Sequence, residues 1–213
     1  MRIVSHRGYW RSRSERNAPV AFDRSFALGF GTETDLRDAD GQLVIAHDPP
    51  APGAAALPAA RLFAMHRAMA PDTPLALNVK ADGLQDLLAR ALEENPVRDA
   101  FVFDMSVPDM RAWLARGVPV FTRQSEIEPE PVLYREAAGV WLDAFVDEWW
   151  EPGLVRAHLE AGKRVCIVSP ELHGREHRRV WDVLAGTDLA SCDALLLCTD
   201  HPEDARRALG HAH

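Results

Sequence analysis

What most constrains this chain is an alternation repeated from one end to the other: a short apolar run, a helical pattern, then another short apolar run. Strand-like runs fall at 2–5, 32–36, 75–79, 100–103, 118–122, 140–142, 164–168 and 194–198. Each is short and apolar, as strands buried on both faces of a parallel sheet are. Helical patterns at 18–28, 61–70, 84–94, 108–116 and 152–161 lie between them, with a shorter one at 132–138. Gly29, Gly117, Gly162 and Gly186 suit helix C-termini. Residues 42–46 add a strand or hairpin arm after the second strand, and the Ala/Pro-rich stretch 49–60 reads as a loop. Eight strands with intervening helices favour a closed parallel sheet over an open one. The expectation is an α/β chain folded as a compact (β/α)8 TIM barrel, a single domain over residues 1–213, with a small hairpin insertion after strand 2.

A barrel places its chemistry at the C-terminal ends of its strands. In order, those ends carry His6 and Arg7, Glu33 and Asp35, Asn78 and Lys80, Asp104, Arg123, Asp143, Ser169 and Glu171, then Asp200. Strand interiors are apolar, so this row of polar ends is not surface decoration. Acids converging at one mouth repel one another unless a cation or a proton neutralises them. Glu33 and Asp35 are two apart on one strand and share a face. Their hard oxygen ligands suit Mg²⁺ or Ca²⁺.

The charge balance points the same way. With 24 Lys+Arg against 32 Asp+Glu, the formal net charge is −8, which argues against a nucleic-acid-binding surface. An anionic substrate then needs a local positive patch or a bound cation. The three cysteines, Cys166, Cys192 and Cys198, match no zinc spacing and read as buried reduced thiols. No apolar stretch is long enough to span a membrane, and MRIVSHRGYW enters a strand without a hydrophobic signal region, so a cytoplasmic protein is expected. The oligomeric state is not readable.

The turn Asp38-Ala-Asp-Gly-Gln leads through Leu43-Val-Ile-Ala into His47-Asp48, which puts two histidines and two carboxylates early in the chain. From His6 to Asp48 the sequence resembles the glycerophosphodiester phosphodiesterase family. The resemblance rests on His6-Arg7-Gly8 after the first strand, Asn17, Ala21-Phe22, Gly29, Glu33-x-Asp35, Asp40-Gly41 and His47-Asp48. Lys80 at the end of the third strand and Thr199-Asp200-x-Pro202 at the end of the eighth extend it.

The resemblance implies a metal-dependent phosphodiester hydrolase acting on small glycerophosphodiester-like substrates. His6 and His47 would form its general acid–base pair, a task suited to a side chain that titrates near neutrality. Arg7 and Lys80 would hold the phosphate oxygens. Glu33 and Asp35 would bind one divalent cation, Mg²⁺ or Ca²⁺, and Gly8 would let the backbone approach the substrate. Two positions depart from the family pattern. Asn78 stands where a Glu is usual, an amide oxygen in place of a carboxylate, and Asp104 on the neighbouring strand end is the candidate to supply the missing charge. Arg16 stands where a Glu often lines the site, and it would either contact phosphate or point to solvent.

Trp141 reads as core packing, while Trp149 and Trp150 would either wall a pocket or cap the core. His173 and His177 in a polar loop, and His211 and His213 in the tail, receive no role. Two alternatives keep the same residues: attack by a substrate hydroxyl to give a cyclic phosphate, or a non-catalytic barrel that binds a phosphorylated ligand.

Overall fold

The computed structural model describes residues 1–210 apart from Pro52 and Ala54. Part of the 49–60 loop and the tail histidines His211 and His213 therefore lie outside the described residues. The chain divides into two compact units, one of Met1–Ser5 with Phe121–His213 and one of His6–Val120.

The second unit is built on β2 (Gly31–Ala39), flanked on one side by β3 (Gln42–Ile45) and on the other by β5 (Leu75–Val79). β2 and β3 are antiparallel, joined by the tight turn at Asp40-Gly41, with Leu36 opposite Ile45 and Ala39 opposite Gln42. A two-residue strand, β4 (Leu57–Pro58), pairs antiparallel with β3. β5 runs parallel to β2, with Asp35 beside Asn78, and β6 (Ala100–Phe103) runs parallel to β5. The hairpin arm expected after the second strand is present. Helices α1 (Pro19–Ala27), α2 (Ala59–Met69), α3 (Gln85–Glu94) and α4 (Val107–Ala115) belong to this unit. Proline sits in the first turn of α1 and α4, where its missing N–H costs nothing, and the Ser106 hydroxyl accepts the Asp109 N–H to cap α4. The core is aromatic: Phe22, Phe26, Phe63, Phe101, Phe103 and Trp113 are fully buried. Burying each such side chain stabilises by about 1.5–3 kcal/mol.

The first unit is an all-parallel ladder in the order β1 (Arg2–His6), β10 (Leu195–Thr199), β9 (Arg164–Val168), β8 (Gly139–Leu142), β7 (Phe121–Gln124). Val140, Val165, Ile167, Leu196 and Leu197 have no exposure, the signature of strands covered on both faces. Helices α5 (Pro152–Glu160), α6 (Arg178–Ala185) and α7 (Pro202–Ala208) belong here. Trp141 is buried, as packing requires.

Two expectations are corrected. Residues 132–138 form turns, not a helix. Leu133 takes a left-handed φ of 52°, and the carbonyls of Val132, Arg135 and Ala137 accept from Thr122 and Lys163 rather than from the next helical turn. The fifth strand starts at Phe121, not 118, because the Val118 N–H is spent on Trp113 and Pro119 has none to give. Gly186 ends its helix as expected, with φ −75° and its N–H bonded to Asp182, while Gly29, Gly117 and Gly162 are left-handed. Of the thiols, Cys166 and Cys198 are buried and Cys192 half-buried; no disulfide joins them. Among the described residues no helix is long and apolar enough to cross a membrane.

Candidate active site

The chemistry of the His6–Val120 unit gathers on β2. Its alternation puts Glu33 and Asp35 on one face, 2% and 0% exposed. A buried carboxylate is costly unless charge and hydrogen bonds surround it. Asp35 has both. Arg7 Nε lies 3.0 Å from its Oδ2, Lys80 Nζ lies 3.4 Å from its Oδ1, and Asn17 Nδ2 donates to Oδ2 at 2.8 Å. Asn17 is itself fixed, since its Oδ1 accepts the Thr34 hydroxyl at 2.9 Å and its N–H donates to the Arg7 carbonyl at 3.0 Å. Asn17 is the residue whose site role sequence reasoning missed. Its place beside a carboxylate strand within the family motif was the available signal.

Glu33 is less well served. Its Oε2 accepts the Arg7 N–H at 3.1 Å and lies 3.9 Å from His6 Nε2. Burial first, and the neighbouring Asp35 charge second, push its pKa up to about 7, against the opposing pull of His6, Arg7 and Lys80. Glu33 thus holds a proton part of the time near neutrality.

His6 closes β1 with its ring 14% exposed, and its carbonyl accepts the Trp10 indole N–H at 3.1 Å. Arg7 and Gly8 follow with φ of 57° and 79°, a consecutive left-handed pair that turns the chain sharply at the strand end. The close approach at Gly8 is to helix α1: a Cβ there would meet Ala21 C and Cβ at 2.9 Å and Phe22 Cδ1 at 3.0 Å. Its glycine is a packing requirement of this loop. Gly8→Ala is expected to lower stability by about 1–3 kcal/mol, through strain and overpacking, measured as a shift in the denaturant midpoint.

The hairpin brings the other histidine back along β2. Ala46 N–H donates to the Asp35 carbonyl at 3.1 Å, so the return arm comes back alongside Asp35 and His47 follows one residue later. Arg37 Nε donates to the His47 carbonyl at 2.9 Å. The His47 ring, 45% exposed, pairs its Nδ1 with Asp48 Oδ1 at 3.0 Å rather than with His6, Glu33 or Asp35.

Asn78 stands beside Asp35 in the parallel register, nearly buried, and its Oδ1 accepts no hydrogen bond; the same is true of Asp35 Oδ1. The register sets Phe103, not Asp104, beside Asn78, and Asp104 leaves the strand with a left-handed φ of 71°. Among the described residues no three His, Cys, Asp or Glu side chains are arranged to hold a metal ion together. The available donor set is therefore two carboxylates and one amide oxygen: Glu33, Asp35 and Asn78. These are hard oxygens, two of them buried without a donor, and they fit Mg²⁺ or Ca²⁺ with the remaining positions left to water or substrate.

The remaining strand-end groups lie in the Met1–Ser5 and Phe121–His213 unit. Glu171 accepts the Ser169 and Thr199 hydroxyls at 2.5 Å each and the Asp200 N–H at 3.1 Å. Asp143 Oδ1 accepts His173 Nε2 at 2.7 Å, so one histidine assigned no role is held by a buried acid. Arg123 pairs with Glu128. Trp149 donates to the Asp143 carbonyl at 2.7 Å, and Trp150 is buried.

The sequence matches no family model and no curated protein. Its fold does match solved structures. A candidate glycerophosphodiester phosphodiesterase from Galdieria sulphuraria aligns with a TM-score of 0.77 over 98% of this chain and 97% of its own, at 17% identity. The glycerophosphodiester phosphodiesterase of Agrobacterium tumefaciens aligns with a TM-score of 0.71 over 100% of both chains, at 18% identity. An Oleispira antarctica phosphodiesterase, solved with its product sn-glycerol-3-phosphate, aligns with a TM-score of 0.71 over 99% of this chain and 97% of its own, at 15% identity. This likeness places the chain in the (β/α)8 fold class expected from the alternation of its elements.

Proposed function

We propose that this chain is a glycerophosphodiester phosphodiesterase, hydrolysing small phosphodiesters at the Glu33–Asp35 face of the His6–Val120 unit. The observation that carries this reading is Asp35 itself: a fully buried carboxylate joined to Arg7, Lys80 and Asn17, with Glu33 on the same strand face. So concentrated a buried charge cluster marks a functional site. The residues match, position by position, the motif that the sequence shares with the family, and the fold neighbours bear that family's name.

Arg7 and Lys80 would turn from Asp35 to the non-bridging oxygens of the phosphodiester, supplying charge-assisted hydrogen bonds that strengthen as negative charge builds up. His6 and His47 would divide the proton work, one taking the proton of the attacking water and the other giving one to the departing alkoxide. Asn17 would keep Asp35 in place while the two cations shift. Glu33, Asp35 and Asn78 would hold one divalent cation, which when bound supplies Lewis-acid polarisation of a phosphoryl oxygen. The raised pKa of Glu33 supports that assignment, because a cation would take the place of the proton.

Chelation tests the cation. Protein treated with EDTA is expected to lose turnover of bis(4-nitrophenyl) phosphate, and Mg²⁺, Ca²⁺ or Mn²⁺ to restore it. The same cation should raise the melting temperature of wild type more than that of Asp35→Asn. Turnover that survives chelation unchanged would remove the cation from the mechanism.

A further inference from the structure

Lys80, one of the two proposed phosphate-binding residues, is anchored through its backbone. Its Nζ lies 3.4 Å from Asp35 Oδ1, an oxygen that accepts no hydrogen bond, so the ion pair attracts the amine without aiming it. The Lys80 N–H donates to the Leu36 carbonyl at 3.0 Å and fixes the residue beside β2. A short turn follows at residues 81–84, in which Gly83 takes a left-handed φ of 85°. A lysine side chain carries much rotamer freedom of its own, and a mobile turn next to it would add more.

That turn is tied to the start of α4 from both sides. Asp109 Oδ1 accepts the Gly83 N–H at 3.0 Å and the Gln85 side-chain amide at 2.7 Å. In the other direction, Asp82 Oδ2 accepts the Ser106 hydroxyl at 2.6 Å, and Asp82 Oδ1 accepts the Ser106 N–H at 3.4 Å. Asp109 is itself fixed: its Oδ2 accepts the indole N–H of the fully buried Trp113 at 2.8 Å, and its N–H donates to Ser106 Oγ at 3.3 Å. Two carboxylates thus cross-link the residues just after Lys80 to a helix seated on a buried tryptophan. All of these groups lie within the His6–Val120 unit.

We infer that Asp109, with Asp82, is a positioning residue for Lys80: by holding residues 81–84 against α4, it keeps the lysine amine in reach of a phosphoryl oxygen beside Asp35. The inference rests on the phosphate-binding reading of Lys80 and extends that site to α4. In this role neither acid touches the substrate; both act through the lysine. Core packing accounts for the bond from Trp113, but not for the four bonds that join residues 82–85 to Ser106 and Asp109.

Lys80 and Lys163 are the chain's two lysines, so protein labelled with ¹³C at lysine Cε gives two side-chain NMR signals, and Lys163→Arg identifies the one from Lys80. The full chain is titrated with glycerol 3-phosphate in the presence of Mg²⁺ and followed at that signal, which is expected to shift on binding. Asp109→Ala should weaken the apparent affinity about ten-fold and Asp82→Ala about three-fold, the range of single hydrogen bonds. Trp113→Phe removes the indole bond to Asp109 while sparing those to the turn, and should leave the affinity within about two-fold of wild type. That contrast separates positioning from a merely structural role. Asp82 is exposed, so Asp82→Ala carries the test even if Asp109→Ala does not fold. An unchanged affinity in Asp82→Ala or in folded Asp109→Ala, or an equal loss in Trp113→Phe, overturns the positioning role and leaves the phosphate reading intact. If the wild-type Lys80 signal does not respond to glycerol 3-phosphate, the phosphate-binding reading of Lys80 fails and takes this inference with it.

Discussion

His6→Ala should lower phosphodiester turnover by about 10²–10⁴-fold, the usual contribution of a positioned general acid or base, with little change in KM. The ring is the part of this residue that can carry a proton. The His6 carbonyl is bound to Trp10, while the imidazole, at the end of β1, lies 3.9 Å from Glu33 and keeps 14% of its surface. Circular dichroism and the melting temperature of the variant read its folding separately from its turnover. A loss of turnover in a protein of unchanged stability assigns the effect to chemistry. His47→Ala is expected to cause a loss of the same order, because each histidine would carry one of the two proton transfers. If either variant kept more than about a tenth of wild-type turnover, that histidine would leave the acid–base pair.

Asp35→Ala should destabilise the protein by about 3–5 kcal/mol, the cost of removing one partner from a buried ion cluster. Asp35 is wholly buried and serves three groups at once. Without it, Arg7 and Lys80 lose their shared counter-charge, and Asn17 loses the acceptor for its amide. Asp35→Asn keeps an oxygen for Asn17 but not the charge, so it should fall between alanine and wild type. Urea denaturation followed by fluorescence reads the difference directly. If Asp35→Ala unfolds at the wild-type midpoint, the cluster does not organise this unit. The substitution should also abolish measurable turnover, since it removes a proposed cation ligand and the partner of Arg7 and Lys80, the proposed phosphate-binding residues.

Much of this was legible in the residues, and the exceptions have physical causes. The alternation of apolar runs and helical patterns located all eight parallel strands and the β3 arm, because strands buried on both faces cannot disguise their composition. His6, Arg7, Glu33, Asp35 and Lys80 converge as expected, since strand ends and a two-residue alternation fix their side. Three features were not visible. Asn17 reaches Asp35 across 18 residues of sequence, a contact no local pattern encodes. Register sets Phe103, not Asp104, beside Asn78, and register is decided by pairing, not by composition. Segment 132–138 carries helical residues, yet Lys163 and Thr122 claim its carbonyls from a distance, a tertiary override of local propensity. Gly8 was recognised as special, but the neighbour that excludes a side chain is helix α1.

The most direct test of the central claim is ³¹P NMR of a glycerophosphodiester such as glycerophosphocholine, incubated with purified protein and Mg²⁺, Ca²⁺ or Mn²⁺ in water enriched in ¹⁸O. The expected result is a phosphomonoester signal carrying one ¹⁸O, absent with His6→Ala and after EDTA. A five-membered cyclic phosphate would redirect the attack to a substrate hydroxyl while keeping the site. An unchanged substrate with every cation, in folded protein, would contradict catalysis at the Asp35 cluster.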